Sequence, residues 1–252
     1  MKRCFKLGAM AVACAAGVMV SAGAANFTSS ADRLHEVGLF QGTGTTASGA
    51  PQYDLDRAPT RAEAAVMLVR LLGKEADAKA LTYTAPFTDL EGWEAPYVQY
   101  LYDNKLTTGA TATTFEPKAK CSAQMYTTFL LRSLGYSDTQ NGDFTYTGAL
   151  DFAADNVGLI DESFCDTNNF LRDNVAAMSL EALATPVKAT DITLLDKLIA
   201  DGAIDQSKAA PLSSFIDLAE SYNKAVSTPI TRAEQDVTAR MTMKASDMEI
   251  TA

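Results

Sequence analysis

An internal repetition constrains the fold of this chain more than any other feature of its sequence. Residues 53–73 and 115–135 have the same length, and both end in Arg-x-Leu-Gly. Each is preceded by a shorter related segment, LHEVGLFQG at 34–42 and LYDNKLTTG at 101–109. A looser third copy contains AADNVGLIDE and then FLRDNVAAMSLEALATPV, within residues 153–187. Repetition of this kind indicates a fold built from similar modules, none of which buries its apolar surface alone.

Each module has the pattern of two amphipathic helices joined by a loop. In the second copy, Trp93, Tyr97 and Leu101 are spaced at i, i+4 and i+8, which puts them on one helical face. The later helix of the first copy has a similar apolar stripe, and Gly73 follows it as a C-cap. We therefore predict an all-α fold, with three helix–loop–helix repeats followed by C-terminal helices. The repeat helices are expected over most of residues 62–72, 94–104, 123–134 and 175–184.

The N-terminal residues predict export. Three basic residues precede an uncharged apolar run, 7–20, that is shorter than the roughly 20 residues needed to span a bilayer. We assign 1–25 to a signal peptide, and no later segment has the apolar length of a transmembrane span. The other boundaries are expected at 26–80, 81–140 and 141–205 for the three repeats, and at 206–252 for a helical segment and tail.

Processing should leave Ala25 or Asn26 as the first residue of the secreted protein, because small residues at 22–24 suit a signal peptidase. N-terminal sequencing of secreted material checks this expectation. A chain beginning at Met1 or at Cys14 would contradict it.

The charge of the chain argues against one class of partner. There are 21 basic and 31 acidic residues, and three of the basic ones leave with the predicted signal peptide. So acidic a surface repels phosphate backbones and anionic membranes, which argues against binding nucleic acid. A single arginine at a local site can still bind an anionic sugar.

Two cysteines, Cys121 and Cys165, lie beyond the predicted signal peptide. A disulfide persists in the compartment to which such a chain is exported. Spacing in sequence alone does not bring two Cα atoms within bonding reach. A Cys121–Cys165 disulfide and two unrelated buried thiols are therefore both open interpretations.

The segment Thr60-Arg61-Ala62-Glu63 is the sharpest local pattern. Thr60 as N-cap and Glu63 three residues later form a capping box ahead of an apolar run. Arg61 has no such explanation, because a cation in the first turn opposes the helix dipole. Its position suggests that Arg61 faces an anion.

Taken together, these motifs resemble the S-layer homology family. That family's repeat opens with Phe-x-Asp and a nearby Trp, continues through a Gly-containing loop to Phe-x-Pro, and reaches a Thr-Arg-Ala-Glu helix that ends in Arg-x-Leu-Gly. The matching residues here are Phe87-Thr88-Asp89, Trp93, Gly109, Phe115-Glu116-Pro117, Thr60-Arg61-Ala62-Glu63 and Arg70-Leu71-Leu72-Gly73.

The resemblance implies three repeats in a pseudo-threefold helical bundle. It also implies grooves between repeats that hold a secondary cell-wall polysaccharide, often one bearing a pyruvate ketal. Arg61 is the expected partner of that carboxylate, since a guanidinium can make a charge-assisted bidentate hydrogen bond. Asp89 and the loop glycines are expected to contact sugar hydroxyls, and Trp93 to stack on a sugar or to anchor the core. The implied site comprises Arg61, Thr60, Glu63, Gly42, Asp89, Trp93 and Gly109.

The chain departs from the family pattern in all three copies. Ala123 stands where the second copy should have its arginine, and the third copy is aligned with residues 177–179, which also lack one. The first copy lacks a Phe-x-Asp opening. At most one complete groove is therefore expected, with Arg132 an ordinary cation near a helix C-terminus. Residues 231–234 repeat the Thr-Arg-Ala-Glu spelling and are interpreted first as a capped helix.

Nothing in the sequence indicates catalysis, a cofactor or a metal site. His35 is the only histidine and no nucleophile elbow accompanies it. The aspartates at 54–56 and 151–155 lack the spacing of an EF-hand loop. We therefore expect a non-enzymatic bacterial cell-surface protein that binds cell-wall polysaccharide. The alternative is a decayed scaffold that contacts other surface-layer proteins.

Overall fold

The computed structural model describes residues 27–225 except 91 and 162, with side chains to residue 219. The predicted signal peptide and the second Thr-Arg-Ala-Glu segment, 231–234, lie outside the described residues. Within the described part, no helix combines the length and the apolar character needed to cross a bilayer.

Helices dominate the described residues, and the predicted all-α class is confirmed. They are α1 (Thr28–Glu36), α2 (Arg61–Leu71), α3 (Glu75–Lys79), α4 (Ala95–Asp103), α5 (Ala123–Ser133), α6 (Ala149–Phe152), α7 (Arg172–Ala184), α8 (Leu194–Ala200) and α9 (Gln206–Ala225). A 3₁₀ turn, Tyr146–Gly148, precedes α6, and a π turn, Ala153–Val157, follows it. The small hairpin of β1 (Gly44–Thr45) and β2 (Pro51–Gln52) is antiparallel, with Gly44 opposite Gln52.

Three pairs of helices pack closely against each other. α4 packs on α2, α6 packs on α5, and α1 packs on α7. Helices α2, α5 and α7 meet through α5, whose Tyr126 is fully buried and hydrogen-bonds the Ser179 hydroxyl of α7 at 2.8 Å. Apolar residues of all three helices form one continuous core.

Capping residues explain where α2, α5 and α7 begin. The Thr60 and Ser122 hydroxyls each accept a hydrogen bond from the backbone N–H three residues later. In α7, the Leu171 N–H instead donates to the Asn174 side chain at 2.7 Å. The first helical residues are therefore Arg61, Ala123 and Arg172.

The start of α7 corrects one prediction. Residues 177–179 were aligned with the Thr-Arg-Ala-Glu segment, but they lie inside the helix. The backbone N–H groups of Arg172 and Asp173 donate to the carbonyls of Arg57 and Leu55, so the helix starts there. The third copy thus has an arginine at its first helical position, as the first copy does.

Two further expectations are settled by burial. Cys121 and Cys165 are buried free thiols, so the disulfide interpretation is wrong for this structure. Burial raises their thiol pKa values to about 12 and about 11, which leaves both protonated at neutral pH. Trp93 precedes α4 and is 61% exposed, so it does not anchor the core.

Candidate functional site

A cleft of about 390 Å³ opens between the N-terminus of α2 and the chain around α5. One wall is the loop that follows α4, and another is the side of α5 that carries Met125, Phe129 and Arg132. The lining residues are Arg61, Thr107, Thr108, Gly109, Ala110, Glu116, Met125, Thr128, Phe129, Arg132, Asp138 and Tyr146. Two cations and several hydroxyl groups therefore border one concave surface.

A backbone clasp, formed by residues 59–62 against 117–121, fixes the α2 side of the cleft. The N–H groups of Arg61 and Ala62 donate to the carbonyls of Ala119 and Pro117, at 2.8 and 3.1 Å. In the other direction, the Cys121 N–H donates to the Pro59 carbonyl at 2.9 Å. Residues far apart in sequence are thereby held together at the edge of the cleft.

The Arg61 guanidinium is oriented without being neutralised. Its Nε donates to the Phe115 carbonyl at 2.7 Å, and its Cζ lies 5.1 Å from the Phe115 ring centroid. Nη1 lies 3.0 Å from the Met125 sulfur. No carboxylate of the described residues forms an ion pair with Arg61. The guanidinium is thus held in a fixed orientation, and none of the described carboxylates neutralises it.

Arg132, on α5, is the second cation of the cleft and is fully paired. Its Nε and Nη2 donate to both carboxylate oxygens of Asp138, at 2.9 and 2.7 Å, and Nη1 donates to the Leu106 carbonyl at 2.9 Å. Arg132 lies in the last turn of α5, as predicted, but it also forms a largely buried ion pair, which the prediction did not include. Arg70 of α2 makes a corresponding pair with Glu75 at 3.0 Å, so the shared offset of the two arginines in sequence could have revealed this role.

The loop after α4 can approach a ligand closely because of Gly109. This residue has φ +84°, and a Cβ there would lie 2.3 Å from the Phe87 ring and 2.6 Å from the Thr111 carbonyl oxygen. Only glycine fits such a position. Thr107 is fixed beside it, because its hydroxyl accepts a hydrogen bond from the Gly109 N–H at 3.2 Å.

Asp89 shapes the cleft from behind. Its two carboxylate oxygens accept hydrogen bonds from the N–H groups of Phe115 and Glu116, at 2.8 and 2.7 Å. These bonds fix the peptide whose carbonyl receives Arg61. Asp89 therefore positions the site and does not line it.

Thr60 and Glu63 also lie outside the lining. The Glu63 carboxylate accepts from the Thr60 N–H at 2.8 Å and from Arg57 at 2.6 and 2.8 Å. Burial would raise the pKa of Glu63, but these hydrogen bonds outweigh burial and the pKa is lowered. Both residues are occupied by helix capping.

The structure thus brings Arg61 and Gly109 together and leaves the other predicted residues apart. Gly42 lies in the first copy, where a Cβ would lie 2.6 Å from the Gln52 carbonyl oxygen at the base of the hairpin. Trp93 is exposed and does not line the cleft. Among the described residues, no group of three or more His, Cys, Asp or Glu side chains could hold a metal ion. The arrangement suits binding of an anionic, hydroxyl-rich ligand.

Comparison with known proteins finds a domain match within the chain. Residues 86–122, which include Asp89 and the loop beside the cleft, match the S-layer homology domain. The chain is 30% identical over 108 residues to an endoglucanase of Bacillus sp. (strain KSM-635), a match that covers 38% of this chain and 12% of that protein.

Two further relatives are cell-envelope proteins by name. The middle cell wall protein of Brevibacillus brevis and the surface layer protein of Brevibacillus choshinensis are each 30% identical over 112 residues, 44% of this chain. The match covers only about a tenth of each relative, 10% in both cases. Residues 86–122 are thus similar to the S-layer homology domain, and together these matches support the cell wall and cell surface as the location of this bacterial protein.

Proposed function

We propose that the chain binds a cell-wall polysaccharide non-covalently and without catalysis, through the cleft that Arg61 borders. The observation that carries the proposal is a guanidinium held by a backbone carbonyl and an aromatic ring, with no carboxylate partner among the described residues. A carboxylate on the polysaccharide, such as a pyruvate ketal, would supply the missing anion. Thr108 and Tyr146 border the same cleft, are exposed and suit sugar hydroxyls.

We further propose that three repeats form the bundle. Three pairs of helices support this arrangement, because α2–α4, α5–α6 and α7–α1 close a ring in which each pair joins neighbouring repeats. Residues 26–80, 81–140 and 141–205 would be the three units. The cleft then lies between the first and second of them.

A protein–protein scaffold is the second candidate function. Large apolar side chains are exposed at Trp93, 61%, and at Leu218, 70%. In addition, the first helical residue of α5 is Ala123, whereas that of α2 is Arg61. Contacts with other surface-layer proteins through such residues would need no glycan.

Arg61→Ala should weaken binding to purified cell wall by about tenfold or more, because a hydrogen bond to a charged group contributes roughly 1.5–3 kcal/mol. Arg61→Lys should recover only part of the loss, since an ammonium cannot donate bidentately. Sedimentation of the protein with cell wall, before and after acid extraction of the polysaccharide, measures both effects.

Lys197→Ala is the matched control. It also removes one positive charge, but Lys197 lies on α8, where it pairs with Asp201 in solvent. Equal losses from Arg61→Ala and Lys197→Ala would indicate diffuse electrostatic attraction. Binding that survives both Arg61→Ala and acid extraction would favour the scaffold function.

A further inference from the structure

Arg172, at the first position of α7, repeats the environment of Arg61 at the first position of α2. Its Nε donates to the Tyr53 carbonyl at 2.7 Å, as that of Arg61 does to Phe115. Its Nη1 lies 3.4 Å from a methionine sulfur, that of Met67. The two arginines therefore sit in two versions of one local structure.

The loops that face the two arginines also correspond. After α1, the N–H groups of Leu39 and Phe40 donate to the Leu34 carbonyl, at 2.8 and 3.3 Å. After α4, the N–H groups of residues 106 and 107 donate to the Leu101 carbonyl, at 2.7 and 3.3 Å. Phe40 thus occupies the position that Thr107 has in the cleft.

This difference between Phe40 and Thr107 accompanies a large difference in the solvent exposure of the two arginines. Arg61 is partly exposed and borders a cleft, whereas Arg172 is only 3% exposed. The Phe40 ring is 2% exposed, lies 5.6 Å from the Arg172 Cζ, and packs edge-on against Tyr53 at 5.7 Å. An aromatic ring therefore fills the space beside Arg172, where a threonine leaves the space beside Arg61 open.

The charged groups around Arg172 are compatible with an anion site that is closed to solvent. Its described hydrogen-bond partners are backbone carbonyls and a sulfur, and no carboxylate of the described residues forms an ion pair with it. The charged groups that act on it electrostatically are Arg57, Glu63, Asp54 and Arg70. Both of these carboxylates are already engaged, Glu63 by Arg57 and Asp54 by Thr43 and Gln52. A buried guanidinium without a counter-ion retains the capacity to bind one.

We propose that Phe40 is a plug that closes a second copy of the anion cleft, so that the described residues hold one open site at Arg61 and one sealed site at Arg172. The ligand class of the second site rests on the proposed function, namely a carboxylate-bearing polysaccharide. The plug itself does not, because it is a statement about which arginine solvent reaches. Phe40 thereby decides whether the Arg172 site is accessible to a ligand.

Labelling of arginines with phenylglyoxal tests the plug without any polysaccharide. In the folded wild-type protein, peptide mass mapping should find Arg61 modified and Arg172 protected by at least tenfold in rate. Phe40→Thr should make Arg172 react at a rate close to that of Arg61, whereas Phe40→Leu should keep most of the protection. Similar rates at the two arginines in the wild type would overturn the proposal even if Phe40→Thr failed to fold.

Binding stoichiometry tests the site behind the plug. Calorimetric titration with fragments released from cell wall should give one site per wild-type chain and two for Phe40→Thr. In the Arg61→Ala background, Phe40→Thr should restore one site, and further change of Arg172→Ala should remove it. A wild type that binds one fragment and a folded Phe40→Thr that still binds one would refute the second site and leave the proposed function intact. No binding by either protein would refute the proposed function, with the labelling result still deciding the plug.

Discussion

Gly109→Ala should destabilise the fold by roughly 2–5 kcal/mol and remove binding at the cleft. The left-handed backbone at φ +84° costs about 1–2 kcal/mol for a residue with a side chain. The new Cβ would also lie 2.3 Å from Phe87 Cε1 and 2.7 Å from the Thr114 carbonyl oxygen. Overpacking of this kind adds about 1–3 kcal/mol. Urea unfolding followed by circular dichroism measures the loss.

Gly38→Ala separates the two contributions. Gly38 has nearly the same φ, +82°, but a Cβ there would meet nothing within 4 Å. Only the backbone cost should remain, about 1–2 kcal/mol. If the two substitutions destabilised the protein equally, the close packing around Gly109 would have no energetic weight.

Arg132→Ala should cost roughly 3–5 kcal/mol of folding stability, because it leaves one half of a largely buried ion pair behind. The side chains of Arg132 and Asp138 are only 10% and 12% exposed, and their contact is bidentate. The Leu106 carbonyl, which accepts from Arg132, would also lose its partner. Thermal and chemical unfolding measure the change.

A double-mutant cycle shows whether the loss comes from the pair. Arg132→Ala with Asp138→Ala together should cost clearly less than the sum of the single changes, because no buried charge is left alone. Lys197→Ala, in an exposed pair, should change stability by no more than about 1 kcal/mol. Strictly additive losses at Arg132 and Asp138 would contradict the coupling.

Local patterns in the sequence predicted the helices and one wall of the cleft. The capping box at Thr60 and Glu63 and the apolar stripes gave the bounds of α2 and α5 to within a residue or two. Arg61 was found because a cation in a first turn has no local explanation. Gly109 was found through a repeated loop pattern. Each of these features is encoded by a few residues that are neighbours in the sequence.

Contacts between distant segments could not be predicted in this way. Arg132 lines the cleft only because the loop from Leu106 folds over it, and Trp93 has helical spacing but precedes the helix. The arginine of the third copy, Arg172, was missed because α7 has Leu171 as its N-cap and Asn174 three residues later, in place of a Thr-Glu capping box. The role of Phe40 depends on Arg172, which lies far along the chain.

The backbone clasp links the resistance of the protein to proteolysis with its binding to the cell wall. Because residues 59–62 and 117–121 hold one another at the edge of the cleft, these two segments cannot separate without breaking the backbone hydrogen bonds of the clasp. A ligand that binds only while the clasp is intact adds its binding free energy to the cost of that separation. Extracellular proteases cut chains that have opened, so protein bound to the wall would be degraded more slowly than protein released from it.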